Sequence, residues 1–383
     1  MRVSPRASSP FMFARQINPR RSLARIRGGP LKMGPGIRTC LLSILLVVVV
    51  FGSSAFANAN LAVTNSGAIT NGSPVGMWFD YVVVIMLENH GINTTYGSSC
   101  MGDCSYFNTL ADTNGLAKDY NSGGVSGSLG DYIAITSGKG SVTCNNPPDG
   151  SCGPYTDANV VDRIEAKQLS WKGYMEDYPL SCGSSCSPGN CFMGSTSSSG
   201  HYVSIHNPLV YYQDIVSNAS RCSKITRANS VIPSTQPACG TPSMPGTVEN
   251  DDLFLKDLNS ASSSANYMFL TPNTVDDLHD CGDVSLGNHY LQLLIPQILN
   301  STLFKTTRAA LFVTFDEKDP FTGASPFLYT VWASHASTIT KFGFKSIQPY
   351  DHFTALKTIE TNWGFSPLGS TGTGVADMSE FFK

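Results

Sequence analysis

The sequence predicts an α/β sandwich around a mostly parallel central sheet, and three observations predict it. Tyr81-Val-Val-Val-Ile-Met-Leu87 is an unbroken, β-branched apolar run, the pattern of a strand buried on both faces. Similar runs recur at Ala265 to Leu270, Ala309 to Phe315 and Pro326 to Ala333. Between them lie stretches with helical spacing, Val160 to Met175 (Ile164, Leu169 and Met175 on one stripe) and Tyr290 to Leu299. Strands that alternate with helices pair in parallel, because each crossover lays a helix on the sheet.

The chain has 383 residues, 41% hydrophobic and 14% charged, with 35 Gly and 22 Pro, which describes a loop-rich folded protein with a core. Collagen, coiled coil and polytopic membrane protein are excluded. Residues 1–57 read as a secretory leader: nine basic residues and no acidic one from Arg2 to Arg38, an apolar stretch from Cys40 to Phe51, then Ala55-Phe56-Ala57 as a small-x-small cleavage site. A stretch of twelve residues is short for a bilayer core of about 30 Å, so the expectation is secretion, with an uncleaved N-terminal anchor as the only membrane attachment. Beyond residue 38 the balance is 16 basic against 28 acidic, a net −12, which argues against nucleic acid as a partner. Residues 58–78 form a polar lead-in, and 79–383 read as one domain.

Ten cysteines remain after Cys40 leaves with the leader, and in an exported chain an even number fits disulfides better than a metal cluster. Cys, Gly and Ser crowd residues 138–200, including Cys182, Cys186 and Cys191, which reads as a disulfide-braced insertion over the sheet.

Acids and amides follow the predicted strands: Glu88-Asn89-His90 after the first and Asp316-Glu317 after a later one. In open α/β sheets ligands bind beyond the carboxyl ends of the strands, so these oxygens can converge on a divalent cation. Mg, Ca or Mn suit such donors, and Zn or Fe if imidazole joins. Histidine is scarce, with seven in all, which makes His279 in Asp276-Asp277-Leu278-His279-Asp280, His352 after Tyr350-Asp351, and His206 in His206-Asn207-Pro208 candidates for the same crevice. A nucleophile belongs at a turn feeding a helix N-terminus, where backbone N–H groups favour a developing anion. Ser126-Gly127-Ser128-Leu-Gly-Asp131-Tyr132 offers that turn, with Ser126 and Ser128 both available.

Taken together these motifs resemble the phosphoesterase family that contains bacterial acid phosphatases and phospholipases C, within the alkaline phosphatase superfamily. Val82-Val-Val-Ile-Met-Leu-Glu88-Asn89-His90 looks like its opening strand and Glu-Asn pair, and Ser170-Trp-Lys-Gly-Tyr-Met-Glu176 like a helix ending in Trp-x-x-Tyr-x-Glu. His206-Asn-Pro208, Asp277-Leu-His279-Asp280 and Phe315-Asp316-Glu317 look like later segments in the same order, and the likeness runs from about residue 80 to 365. The resemblance implies an alkaline-phosphatase-like three-layer sandwich, with Glu88, Asn89, Asp316 and Glu317 holding a divalent metal ion. It implies that Ser128, ten residues before Gly138, is the nucleophile that forms a phosphoserine, and that His279, His206 and His352 surround the phosphoryl group. Two departures stand out. Gly130-Asp131-Tyr132 replaces the usual Pro-Asn-Tyr, putting at a substrate-binding position an Asp that repels phosphate unless protonated or turned away. Asn288-His289-Tyr290-Leu291 replaces Asp-x-Trp-Leu.

The expected activity is therefore phosphate ester hydrolysis of acid phosphatase type, by a secreted enzyme. The alternatives are a phospholipase C-type phosphodiesterase and a secreted binding protein that kept the fold and lost the chemistry. A sulfatase is disfavoured, because no Cys or Ser lies in a Cys-x-Pro-x-Arg context.

Overall fold

A run such as Tyr81–Leu87 can only be a strand with cover on both faces, and so it is: Val82 to Leu87 are each at most 1% exposed. The computed structural model describes residues 75–125, 127–142, 153–179, 201–232, 247–260, 262–280, 283–318 and 325–383. The leader, its cleavage site and most of the polar lead-in lie outside them. In chain order the strands are β1 (Tyr81–Leu87), β2 (Gly115–Ala117), β3 (Tyr120–Asn121), β4 (Trp171–Met175), β5 (Ile225–Arg227) and β6 (Val231–Ile232). They continue as β7 (Thr247–Val248), β8 (Tyr267–Thr271), β9 (Ala309–Phe315), β10 (Thr330–Ala333), β11 (Lys345–Ser346) and β12 (Tyr350–Asp351).

Eight strands make the central sheet in the order β11-β2-β10-β9-β1-β8-β4-β5. All its pairings are parallel except the two made by β10, which runs antiparallel to β9 and β2. This is the expected α/β architecture with a mostly parallel sheet. Because β1, β8 and β9 are buried along their length, helices must cover both faces, giving three layers. β10 is shorter than the run that announced it, and the helix predicted from Tyr290 starts earlier, at Val284, where Asp283 accepts from the Ser285 N–H.

Residues 160–175 correct the sequence reading. A capping box between Asn159 and Asp162 starts a helix, but it ends at Ala166, the chain turns at Gln168 (φ +60°), and Trp171–Met175 is strand β4 between β8 and β5. The tertiary setting decides this. Gly173 lies so close to Leu209 that a Cβ there would fall 2.4 Å from its side chain, and Lys172 reaches out to Asp257 at 2.6 Å while Trp171 and Tyr174 are buried. The described part of 138–200 thus builds the sheet itself. Cys100 and Cys104 form a disulfide and Cys222 is disulfide-bonded too, while Cys144, Cys152, Cys182, Cys186, Cys191, Cys239 and Cys281 lie outside the described residues. Among the described residues no helix is long and apolar enough to cross a membrane.

Candidate active site

The sheet register brings the acids together. Leu87 of β1 pairs with Phe315 of β9, so Glu88 and Asp316 leave the sheet side by side. The Asp316 N–H donates to the Leu87 carbonyl (3.0 Å), and the Asn89 N–H to Asp316 Oδ1 (2.9 Å). Asn89 turns the chain with φ +52°, a left-handed conformation that Asn tolerates better than most residues. On the other side of β1, the turn after β8 is wound around Asn273, whose side chain accepts from the N–H groups of Val275 and Asp276. That turn delivers Asp277, whose carbonyl accepts the Glu88 N–H at 2.9 Å.

Ser128 is the first residue of helix Ser128–Ser137, set there by Gly127 at φ +82°. The helix closes at Gly138 (φ +68°), where a Cβ would lie 2.4 Å from the Leu368 carbonyl oxygen, so both ends need glycine. Ser128 is buried, and its hydroxyl donates to Glu88 Oε2 at 3.0 Å. The Gly127 N–H, at the start of this helix, lowers the Glu317 pKa, opposing the rise from burial. Ser126 lies outside the described residues.

The three histidines occupy different positions. His206 is on the floor, 2% exposed, stacked on Tyr132 with ring centroids 5.5 Å apart. Its Nδ1 is 3.2 Å from Asp277 Oδ2, and its Nε2 is 3.3 Å from Glu88 Oε1, off the line of a hydrogen bond. His279 is at the rim, with Nδ1 held by Asp280 Oδ1 at 3.0 Å and its ring 5.5 Å from that of His206. His352 is fully buried and both its nitrogens are engaged: Nε2–H donates to the Asp316 carbonyl (2.6 Å), so Nδ1 accepts from the Tyr120 hydroxyl (3.0 Å). It grips the backbone of a strand-end acid.

Burial dominates the electrostatics. Glu88 is pushed well above the usual carboxylate range by burial, then by Asp316 and Asp277, and Asp131 is pushed up to about 10 by burial, then by Asp316 and Glu317. Glu317 rises to about 7 by burial and then Asp316. Burial drives His206 down to about 3 and His352 to about 4, so both imidazoles are neutral. Among the described residues no Lys or Arg ion-pairs with Glu88, Asp131, Asp277, Asp316 or Glu317. Several buried polar atoms there lack a hydrogen-bond partner: Glu88 Oε1, Asn89 Oδ1, Asp316 Oδ2, His206 Nε2 and both carboxyl oxygens of Asp131. Each uncompensated buried carboxylate costs several kcal/mol. Orphaned hard oxygens without a protein counter-charge are what a divalent cation fits. Two sets of ligand atoms lie within 4.8 Å of one another, Glu88-His206-Asp277 and Asp131-Asp316-Glu317.

The structure therefore gathers Glu88, Asn89, Ser128, Asp131, Asp316 and Glu317, with His206 beneath and His279 at the rim. Sequence reasoning passed over Asp280, which also sits 3.3 Å from His201 Nδ1, and Glu176, which accepts from the Asn273 N–H (3.0 Å) and the Tyr290 hydroxyl (2.9 Å). Glu176 follows β4 as Glu88 follows β1, a signal hidden by reading that segment as helix. Tyr290 and Asn288, in the segment that departs from the expected pattern, have clear partners: Asn288 Oδ1 accepts the Tyr106 and Phe107 N–H groups.

Several known proteins are similar to this chain. A probable acid phosphatase of Kluyveromyces lactis is 26% identical over 216 residues, covering 56% of this chain and 44% of that protein. An acid phosphatase of Aspergillus fumigatus is 26% identical over 226 residues (58% and 42%), and a phosphate-repressible acid phosphatase of Penicillium chrysogenum 25% over 228 (58% and 46%). The chain thus spans less than half the length of these curated relatives. Among solved structures, a protein in the alkaline phosphatase superfamily from Vibrio parahaemolyticus overlays 82% of this chain and 71% of its own, at 11% identity and a TM-score of 0.46. A phosphonate monoester hydrolase of Agrobacterium radiobacter overlays 75% and 74%, at 11% identity and 0.44. The family model described as Phosphoesterase family matches residues 100–366, or 267 of 383 positions, from Cys100 through helix Ser128–Ser137 and both later acid segments, and the chain belongs to that family.

Proposed function

We propose that the chain is an exported, cation-dependent hydrolase of phosphate esters, a phosphomonoesterase of acid phosphatase type that works through a phosphoserine. One observation carries this reading: the Ser128 hydroxyl, at a helix N-terminus, donates to Glu88 at 3.0 Å where the acids of two strands meet. The names of the fungal relatives support the monoester reading, and the basic, apolar and small-residue order of the leader supports export.

In this reading Ser128 Oγ attacks phosphorus in line while its proton passes to Glu88 Oε2. The bond from phosphorus to the ester oxygen breaks with its electron pair on that oxygen, which takes a proton from His279 Nε2. His279 suits this role because Asp280 holds Nδ1–H and raises its pKa above the ordinary histidine value. Water then attacks the phosphoserine and loses its proton to His279 while the phosphorus–Oγ bond breaks with its electron pair on Oγ, which takes back its proton from Glu88 Oε2, leaving inorganic phosphate and free Ser128. His206, held by Asp277, lies beside Glu88 on the floor of the site, and His352 fixes the Asp316 backbone. A divalent cation held by Glu88, Asn89, Asp316 and Glu317 would supply the positive charge that this acidic site lacks for phosphoryl oxygens, and would acidify the serine hydroxyl.

The test is direct. Acid quenching during turnover of p-nitrophenyl phosphate is expected to trap a phosphoryl group on the peptide that contains Ser128, and chelation to abolish turnover. Ser128→Ala is expected to lose at least about a thousandfold in kcat/KM. Retention of activity within tenfold by Ser128→Ala would overturn the assignment, and faster cleavage of lipid head-group diesters than of aryl monoesters would move it to the phospholipase C class.

A further inference from the structure

We infer that Asp131 is a ligand of the bound cation, closing a three-carboxylate cradle with Asp316 and Glu317. The inference rests on the cation-dependent reading above and assigns Asp131 away from phosphate recognition. Asp131 lies three residues beyond Ser128, one helical turn on, so the two side chains share a face and address the same point. It is fully buried, and neither of its carboxyl oxygens has a hydrogen-bond partner.

The nearby N–H of His352 is already committed. His352 Nε2 lies 3.6 Å from Asp131 Oδ1, but the same nitrogen is 2.6 Å from the Asp316 carbonyl and gives its proton there. The other ring nitrogen accepts from Tyr120, so His352 has no second proton to offer. Asp131, Asp316 and Glu317 each bring an oxygen within 4.8 Å of the others, and Asp316 Oδ2 is also buried without a partner. Like charges at such distances need an opposite charge between them. Hard oxygens from a helix and a strand end suit Mg or Mn, and affinity in such sites rises with the number of charged ligands. An Asn here would present one neutral oxygen. The Asp makes the site stronger for cations and poorer for direct phosphate contact.

The experiment measures Mn2+ binding to the full chain by calorimetry after chelator stripping, for the parent, Asp131→Asn and Asp131→Glu, with thermal unfolding in the stripped and loaded states. The expected result is a Kd weakened about 100-fold by Asn, with Glu recovering part of the loss. Stripped Asp131→Asn is expected to melt above the stripped parent, because it replaces a buried carboxyl group crowded against Asp316 and Glu317 and without a hydrogen-bond partner by a neutral amide that can donate to them, whereas loaded Asp131→Asn melts below the loaded parent. A purely structural role would lower both melting points. If the parent binds Mn2+ and Asp131→Asn binds it within threefold, the inference is wrong while cation dependence stands. If the stripped parent takes up neither Mn2+ nor Mg2+, both fall together.

Discussion

Glu176 connects the sheet to the site, and removing it gives a magnitude that can be worked from the structure. Its Oε2 accepts the Asn273 N–H and its Oε1 the Tyr290 hydroxyl, and it is 1% exposed, so water cannot replace either bond. Truncation by Glu176→Ala strands two buried donors at about 1 to 3 kcal/mol each, or roughly 2 to 6 kcal/mol in total. Against a typical domain stability of about 5 to 15 kcal/mol this is large. With a urea slope of about 3 kcal/mol per molar, the midpoint should fall by about 1 to 2 M. Glu176→Gln keeps the shape and one acceptor, and should cost about 1 kcal/mol. Because Asn273 winds the turn that presents Asp277, and the Asp277 carbonyl holds the Glu88 N–H, the Ala variant should also lose kcat at temperatures where it is still folded. The assay is urea unfolding followed by fluorescence in chelator, with disulfides intact, beside turnover of an aryl phosphate at low temperature. A midpoint shift under about 0.3 M for Glu176→Ala would refute the claim that these two donors depend on it.

Three other outcomes follow from named contacts. Asp280 is held down at about 2: burial pushes it up, but His279, Thr274 and His201 outweigh this, and Asp280 in turn raises His279. A general acid is lost as pH rises through its pKa, so Asp280→Asn, which lowers the His279 pKa, should move the alkaline limb of kcat/KM down by about one pH unit and leave the acid limb in place. For Asp80, burial acts upward but Arg308 and the Gly76 and Val75 N–H groups leave it below its ordinary value of 3.8. A carboxylate with a lowered folded pKa contributes stability above the unfolded value and loses it as pH falls through the folded one, so Asp80→Asn should cost about 0.5 to 1 kcal/mol at pH 6 and progressively less as pH falls below 3.8, read as melting temperature against pH. Gly138→Ala forces a Cβ to 2.4 Å from the Leu368 carbonyl oxygen at φ +68° and should destabilise by about 2 to 4 kcal/mol in urea unfolding, where a loss below about 0.5 would show that the helix end can relax.

What the sequence made legible is what a local pattern can encode. β1 and β9 are covered on both faces, so they must be written as unbroken apolar runs, and both appear with the bounds their residues announced. The turn into the helix that starts at Ser128 was legible because a helix that needs glycine at each end carries that need in its own sequence. β4 was not: its five residues include Lys172 and Gly173, and what makes them a strand is β8 on one side, β5 on the other and Leu209 over the glycine. The same gap hid Glu176, since an acid just past a strand is informative only once the strand is known. The histidines show the other limit. Residue type brought His352 into the crevice, but only the three-dimensional arrangement supplies Tyr120, 232 positions away, and with it the tautomer that commits both nitrogens. Asp131 is subtler again. Its charge was plain in the sequence and looked like an obstacle to phosphate, because a single chain position says nothing about which opposite charge faces it. Once the register of β1 and β9 sets Asp316 beside Glu88, the same carboxyl group stands with Asp316 and Glu317, each bringing an oxygen within 4.8 Å of the others, and that crowding is what points to a cation.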